Sequence, residues 1–298
     1  FAADGAVEVL VGTQSNGQGH ETAYAQVLVE RLGVPFEKIR IVQGDTDAIA
    51  DGGGTGGSRS LTAEGVAICE ASDRVIEKGK VAAAQVFETA VADITFAEGT
   101  FRVAGTDRAI AIMDLAERVR AMVTKPPGLE QGLDATASIK LDAWTFPNGC
   151  HVAEVEVDPE TGTTRLVRYT VVDDFGVVVN PLLVEGQVHG GVVQGIGQAL
   201  LERTVYDPAG QLLTGSFMDY CMPRADDVPS FEFSTIEVPC RNNPMGVKGC
   251  GEAGSVGSCA AVINALVDAL APLGVRHVDM PATAERVWRA AREVRAAA

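Results

Sequence analysis

The segment of this sequence best suited to proton chemistry is Lys248-Gly249-Cys250-Gly251-Glu252-Ala253-Gly254, which sets one carboxylate among three glycines. A carboxylate in that setting, next to apolar sequence, is either desolvated or brought close to a ligand. Both move its pKa toward the range of a general base. An exposed loop glutamate would have the same local sequence. Cys250 reads as a small buried residue rather than a nucleophile. A second segment, Gly17-Gln18-Gly19-His20-Glu21-Thr22, joins a strand-like stretch to a helix. Its glycines let backbone N–H groups face an anion at the positive end of the helix dipole, and the Gln18 amide adds a donor for a phosphate oxygen. Taken alone, a tight turn with Thr22 or Glu21 capping the first helical turn is the commoner reading. In a third segment, Gly52 to Ser60, Gly56 and Gly57 admit a bulky group to the main chain, while Ser58 and Ser60 offer hydroxyls near a helix start. By composition a disordered surface loop fits that stretch equally well.

The rest of the composition narrows the classes of function. A chain of 298 residues holds one large or two ordinary domains, and its 46% hydrophobic and 21% charged residues are those of a globular protein. The net charge of −16 has the wrong sign for phosphate neutralisation, which excludes a nucleic-acid partner. Apolar runs such as GVVVNPLLV, after Phe175, are broken by Asn and Pro, so no membrane span is expected. None of the six cysteines forms a C-x-x-C pair, which argues against a zinc ribbon or iron–sulfur cluster in this chain and for reduced thiols in the cytoplasm. The four histidines are scattered, with His151 and His189 read as structural. The acidic pairs Asp45/Asp47, Asp173/Asp174 and Asp226/Asp227 lack the spacing of a calcium loop. The chain starts at Phe1 with nothing like a signal peptide and reads as a segment cut from, or split off, something longer.

These segments must be positioned by strands and helices. Periodicity predicts a strand over 6–12, a helix over 21–32 stopped by Gly33, a strand over 39–42 and a long helix over about 60–88. Short strands at 94–96 and 101–103 bracket Glu98-Gly99 as a turn, and a helix follows over 112–123. Strands at 150–157 and 164–172 flank DPETGT, a hairpin signal. A helix over about 184–203 follows Asn-Pro, strand-like pieces run to Val238, and an apolar helix covers 259–270. Gly190, Gly191, Gly195 and Gly197 suit close helix packing. The expected fold is α+β, with subdomains 1–135 and 136–298, each combining a mixed or antiparallel sheet with packed helices.

Six segments in order, 12–47, 54–60, 154–162, 173–202, 243–270 and 280–288, resemble the xanthine oxidase family of molybdenum hydroxylases. The likeness is to the C-terminal half of the molybdopterin-binding large subunit in the carbon monoxide dehydrogenase-like, nicotinate dehydrogenase and aldehyde oxidoreductase branches. It implies a molybdenum cofactor-binding domain and a molybdopterin cytosine dinucleotide cofactor, with the molybdenum held by the pterin dithiolene and by no protein ligand. It assigns Glu252 as catalytic base, Gln18, Gly19 and His20 to the phosphate and pterin region, and Gly56, Gly57, Ser58 and Ser60 to the loop beside the molybdenum. Lys248, Gly249 and Gly251 lead into Glu252. The implied reaction oxidises a small aldehyde, N-heterocycle or carbon monoxide-like substrate with water as oxygen source. Electrons then leave through iron–sulfur clusters and FAD, expected on an iron–sulfur subunit and a flavoprotein subunit. The N-terminal half of the large subunit is a further expected partner, and the alternative is a non-catalytic cofactor-binding or assembly fragment that is inactive without that half.

Overall fold

The computed structural model describes residues 1–49, 51–141 and 143–297. The chain divides into two units, Phe1–Thr145 with Cys240–Val247 and Phe146–Pro239 with Lys248–Ala298.

In the first unit, β1 (Val7–Leu10), α1 (His20–Leu32) and β2 (Ile39–Val42) form a strand–helix–strand crossover whose strands pair in parallel, Val7 with Ile39 through Leu10 with Val42. Tyr24, Val27, Leu28 and Leu32 line the buried face of α1, at the spacing that identified the helix. The helix stops at Gly33, which takes the left-handed conformation (φ 61°) and donates its N–H to Val29. α2 (Ser60–Phe87) runs the expected length and buries a face of small residues, Gly65, Gly79, Ala82 and Ala83 among them. Gly79 receives the Phe101 ring so closely that a Cβ would stand 2.0 Å from it. That ring belongs to an antiparallel sheet of β3 (Ile94–Ala97), β4 (Thr100–Val103) and β5 (Ala109–Ala111), followed by α3 (Ile112–Ala121). Glu98 and Gly99 make the β3–β4 turn with two positive φ angles.

The second unit holds a three-stranded mixed sheet ordered β6 (Asn148–Val157), β7 (Thr164–Asp174), β8 (Phe231–Thr235). β6 and β7 form the anticipated antiparallel hairpin, and β8 joins β7 in parallel. In the hairpin turn the Asp158 carboxylate accepts from the Glu160 N–H and the Thr161 hydroxyl. α4 (Pro181–Leu200) starts with proline in its first turn and with Asn180 as its cap, whose side chain accepts from Leu183 N–H at 3.0 Å. α5 (Ala253–Leu270) packs on α4 and on β6, and α6 (Ala284–Ala297) closes the unit.

The α+β class holds, with the parallel β1–β2 pair added to the expected antiparallel and mixed sheets. Two elements were not anticipated: β5, three residues with no alternation signal of their own, and α6. A third difference bears on the site, because α5 begins at Ala253, six residues before the expected start at Cys259. The glycines and serines of 254–258 read as loop composition, yet Gly254, Ser258, Val262, Leu266 and Leu270 form one buried stripe at four-residue spacing. A Cβ on Gly254 would lie 2.6 Å from Val188 O and Val192 N of α4, and one on Gly195 would lie 1.9 Å from Ser258 Oγ. Small residues here admit a neighbouring backbone rather than a turn. Ala253–Leu273 is also long and apolar enough, by length and composition, to cross a membrane. Its stripe nonetheless lies in the core of this unit with Val188, Val192 and Ile196.

Gly254→Ala should therefore lower the melting temperature, by a loss of about 1–3 kcal/mol from overpacking. Gly190→Ala, whose Cβ would meet nothing within 4 Å, should be neutral or slightly stabilising. Equal melting temperatures for the two variants would contradict the backbone contact.

Candidate functional site

In the first unit two glycine-bearing loops are clipped together. Gly12, just after β1, meets Gly52 so closely that a Cβ on either would stand 2.6 Å from the other's Cα. Gly54 N–H donates to Gly12 O at 2.9 Å. Gln14 N–H donates to Thr55 Oγ1 at 3.1 Å, and the same hydroxyl donates back to Gln14 O at 2.6 Å. Thus the loop leading to α1 and the loop leading to α2 are held as a pair, although they lie some forty residues apart in sequence.

Tyr24 sits under both loops, fully buried. Its hydroxyl bonds Thr13 Oγ1 at 2.8 Å and the Ser60 side chain, and burial pushes its pKa up to about 12. The His20 ring lies 4.9 Å from the Tyr24 ring, one helical turn away. His20 Nδ1–H donates to Gln43 Oε1 at 3.3 Å, while the Gln18 amide donates to His20 Nε2 at 3.0 Å. That pairing defines the neutral tautomer, and burial holds the imidazole pKa below its ordinary value. Gln18 spends its second amide hydrogen on Gln14 O, and its Oε1 accepts from Asn16 N–H. Gln43 in turn donates to Glu21 Oε1 at 2.6 Å. On α2 the Glu64 carboxyl accepts from Gly12 N–H, and burial raises its pKa.

The two sequence-predicted segments of this unit therefore converge, His20 and Ser60 both on Tyr24. Neither helix start carries a side-chain cap, so neither Thr22 nor Glu21 plays the capping role open to it. The amino ends of α1 and α2 keep their N–H dipoles for an anion. Gly19 precedes α1 in the left-handed conformation (φ 80°), and Gly57 does so before α2 (φ 63°). A Cβ on Gly56 or Gly57 would meet nothing within 4 Å, so the loop at these two glycines presents bare main chain. Residues that sequence reasoning missed are Thr13, Tyr24, Gln43 and Glu64. Of these only Tyr24, four positions after His20 on one helical face, carried a signal.

In the second unit Glu252 is the residue from which α5 springs, with φ −104° and ψ −12°. Its carbonyl accepts from the Ser255 hydroxyl and from Val256 N–H, both at 3.0 Å. The side chain is exposed, so the described residues do not supply the desolvation anticipated for it. Lys248, half-buried as a residue but with its side chain only 10% exposed, is ion-paired with buried Asp174. Burial alone would raise the Asp174 pKa. Hydrogen bonds from Lys248, Gly176 N–H and Val238 N–H outweigh that and hold the carboxyl below its usual range. Cys250 packs against the core, and burial pushes its thiol up to about 11, so it stays protonated at neutral pH and is no nucleophile. Among the described residues no group of three or more His, Cys, Asp or Glu is placed to hold a metal ion. Asp45 and Asp227 instead accept from nearby backbone N–H groups.

A family model described as a molybdopterin cofactor-binding domain matches residues 1–229. The chain is 41% identical to the nicotine 6-hydroxylase large subunit of Paenarthrobacter nicotinovorans, over 97% of this chain and 36% of that protein. It superposes on carbon monoxide dehydrogenase from Oligotropha carboxidovorans with TM-score 0.90 and 35% identity, covering 98% of this chain and 36% of that one. Quinoline 2-oxidoreductase from Pseudomonas putida 86 gives TM-score 0.87 and 38% identity, over 97% and 37% of the two chains. The chain thus spans little more than a third of the length of each.

Two outcomes follow for the Tyr24 network. Tyr24→Phe strips the buried Thr13 hydroxyl of its partner and should cost about 1–3 kcal/mol in denaturant melts. Because burial depresses the folded-state pKa of His20 below 6.5, the unfolded chain takes up that proton first. Its contribution is present above pH 6.5 and is lost as the pH falls below it. Stability should fall less steeply below pH 6.5 in His20→Asn than in the wild type, and parallel curves would count against the buried neutral imidazole.

Proposed function

We propose, because this chain belongs to the molybdopterin cofactor-binding domain family, that it forms the cofactor-holding, base-bearing portion of a molybdenum hydroxylase. It matches the C-terminal part of large subunits in the xanthine oxidase family of oxidoreductases. One observation carries the proposal most directly: the clipped pair of glycine loops in the first unit, each opening onto the uncapped start of a helix. Main-chain N–H groups at Gly19, Gly56 and Gly57, beside Ser58, are donors suited to phosphate and pterin oxygens. The bare glycines leave room for a bulky planar group at the main chain, so the residues present fit the cofactor. Gln18, His20 and Ser60 act by holding these loops in shape, since their side chains are committed to one another and to Tyr24. In the second unit Lys248, Gly249 and Gly251 deliver the chain to Glu252, with Lys248 acting through Asp174.

When bound, the molybdenum cofactor supplies the electron-accepting centre and polarises the water-derived oxygen. Glu252 would serve beside it as the base, its carboxylate taking up the proton that oxidation of the substrate by water releases. The proposed cofactor is the cytosine dinucleotide form. The N-terminal half of the large subunit supplies the burial that Glu252 lacks among the described residues, and iron–sulfur and flavin subunits carry the electrons away. The substrate is a small aldehyde, N-heterocycle or carbon monoxide-like molecule. A cytoplasmic location suits the six free thiols.

In the assembled enzyme Glu252→Gln should lower turnover by about 10²–10⁴ without changing molybdenum or pterin content. A loss smaller than about tenfold would sink the base assignment and leave a chain that only binds. Gly57→Val, at a positive φ of 63°, should lower the pterin content itself.

A further inference from the structure

Asp173 and Asp174 are neighbours at the end of β7, so their side chains leave opposite faces of the sheet. Each reaches the chain on a different side of Glu252. Asp174 Oδ2 pairs with Lys248, four residues before Glu252, and the Lys248 N–H donates to Phe175 O at 2.8 Å. Its Oδ1 accepts from Gly176 N–H at 2.8 Å and Val238 N–H at 3.1 Å, which leaves the carboxylate one orientation. Lys248 is thereby tied to the end of β7 by side chain and backbone together.

Asp173 shares a face with Tyr169 and Val171. Its Oδ1 lies 3.3 Å from His151 Nε2, and His151 Nδ1 lies 2.7 Å from the Tyr169 hydroxyl. Because Nε2 faces a carboxylate oxygen, it carries the ring proton, so Nδ1 accepts from the Tyr169 hydroxyl, which burial keeps protonated. The ring so fixed lies against Gly257, where a Cβ would stand 2.6 Å from Cε1 and Nδ1. Gly257 is five residues after Glu252, in the second turn of α5. Gly149, opposite Asp173 in the β6–β7 register, leaves room for the carboxylate, since a Cβ there would fall 1.9 Å from Oδ1. Asp173 Oδ2 is buried without a hydrogen-bond partner. Retaining a half-satisfied buried carboxylate is costly, and such costs persist where function requires the group.

We propose that Asp173 and Asp174 are positioning residues that grip the Glu252 segment from both sides, Asp174 through Lys248 and Asp173 through His151 beneath Gly257. The proposal rests on reading Glu252 as the base. It is tested in the protein as purified with its partner chains, by amide hydrogen exchange and by kinetics. In Asp174→Asn and in Gly257→Ala, which lifts α5 off an intact His151 ring, amides of 248–256 should exchange at least about tenfold faster while those of α2 keep their protection. The same variants should lose about tenfold or more in kcat at unchanged KM and molybdenum content, as expected when only the reacting geometry is disturbed. Gly190→Ala, on the outer face of α4, serves as the unaffected control. Unchanged exchange over 248–256, exchange raised equally in α2, or full kcat despite faster local exchange would each overturn the grip. Should Asp174→Asn fail to fold, Gly257→Ala alone must still show the local increase. The exchange measurement needs no turnover, so a fully active Glu252→Gln enzyme would remove the catalytic reading of Glu252 and leave the grip to be decided by exchange.

Discussion

Where α5 meets α4, at Gly254 and Gly191, the two backbones approach until a Cβ on either would stand 3.0 Å or less from the facing main chain. From that contact the rest of the second unit takes its arrangement. It allows Val188, Val192, Ile196, Val262, Leu266 and Leu270 to close over the sheet as one core, and it sets the point at which the helix can begin. That point is the residue after Glu252. A carboxylate at the mouth of a helix has its backbone committed to the first turn. The position of the candidate base is thus a consequence of helix packing several residues downstream.

The first unit uses the same device with loops in place of helices. Gly12 and Gly52 bring two chains into contact, and the hydrogen bonds of Gln14 with Thr55 hold them there. Beneath them the groups that touch Tyr24 are uncharged, hydroxyls of Thr13 and Ser60 and an imidazole whose charged form burial disfavours, with the Glu64 carboxyl acting on the phenol through space. The second unit buries charge instead, in the Lys248–Asp174 pair. Breaking such a pair by removing one partner costs on the order of 3–5 kcal/mol, because the other charge is left in a poorly solvating interior. A neutral network loses about 1–3 kcal/mol per orphaned group. The loop pair of the first unit and the Glu252 segment of the second are therefore held by interactions of different stringency.

Much of this was legible in the residues. α1, β2, α2 and the β6–β7 hairpin follow from apolar spacing and turn chemistry, which are local properties. The start of α5 was not, because glycine and serine count against a helix until a second helix arrives to use the space they leave. β5 exists only because β4 offers it an edge. The role foreseen for the Gln18 amide, donating to a ligand, also depended on what else it could reach, and in the folded chain it reaches His20 and Gln14.

By itself the sequence determined most of the elements and their order, the family resemblance, and which segments carry glycines, hydroxyls and a carboxylate. Those are matters of residue type and spacing over a few turns of chain. Only the tertiary structure decided the pairings: Ser60 with Tyr24, Gln14 with Thr55, Lys248 with Asp174, and His151 with Asp173. Each joins residues far apart along the chain, and each exists because strand register and close glycine contacts bring particular atoms within hydrogen-bonding reach. No local pattern encodes that distance, so the chemistry of the site could be named from the sequence while its partners had to be read from the fold.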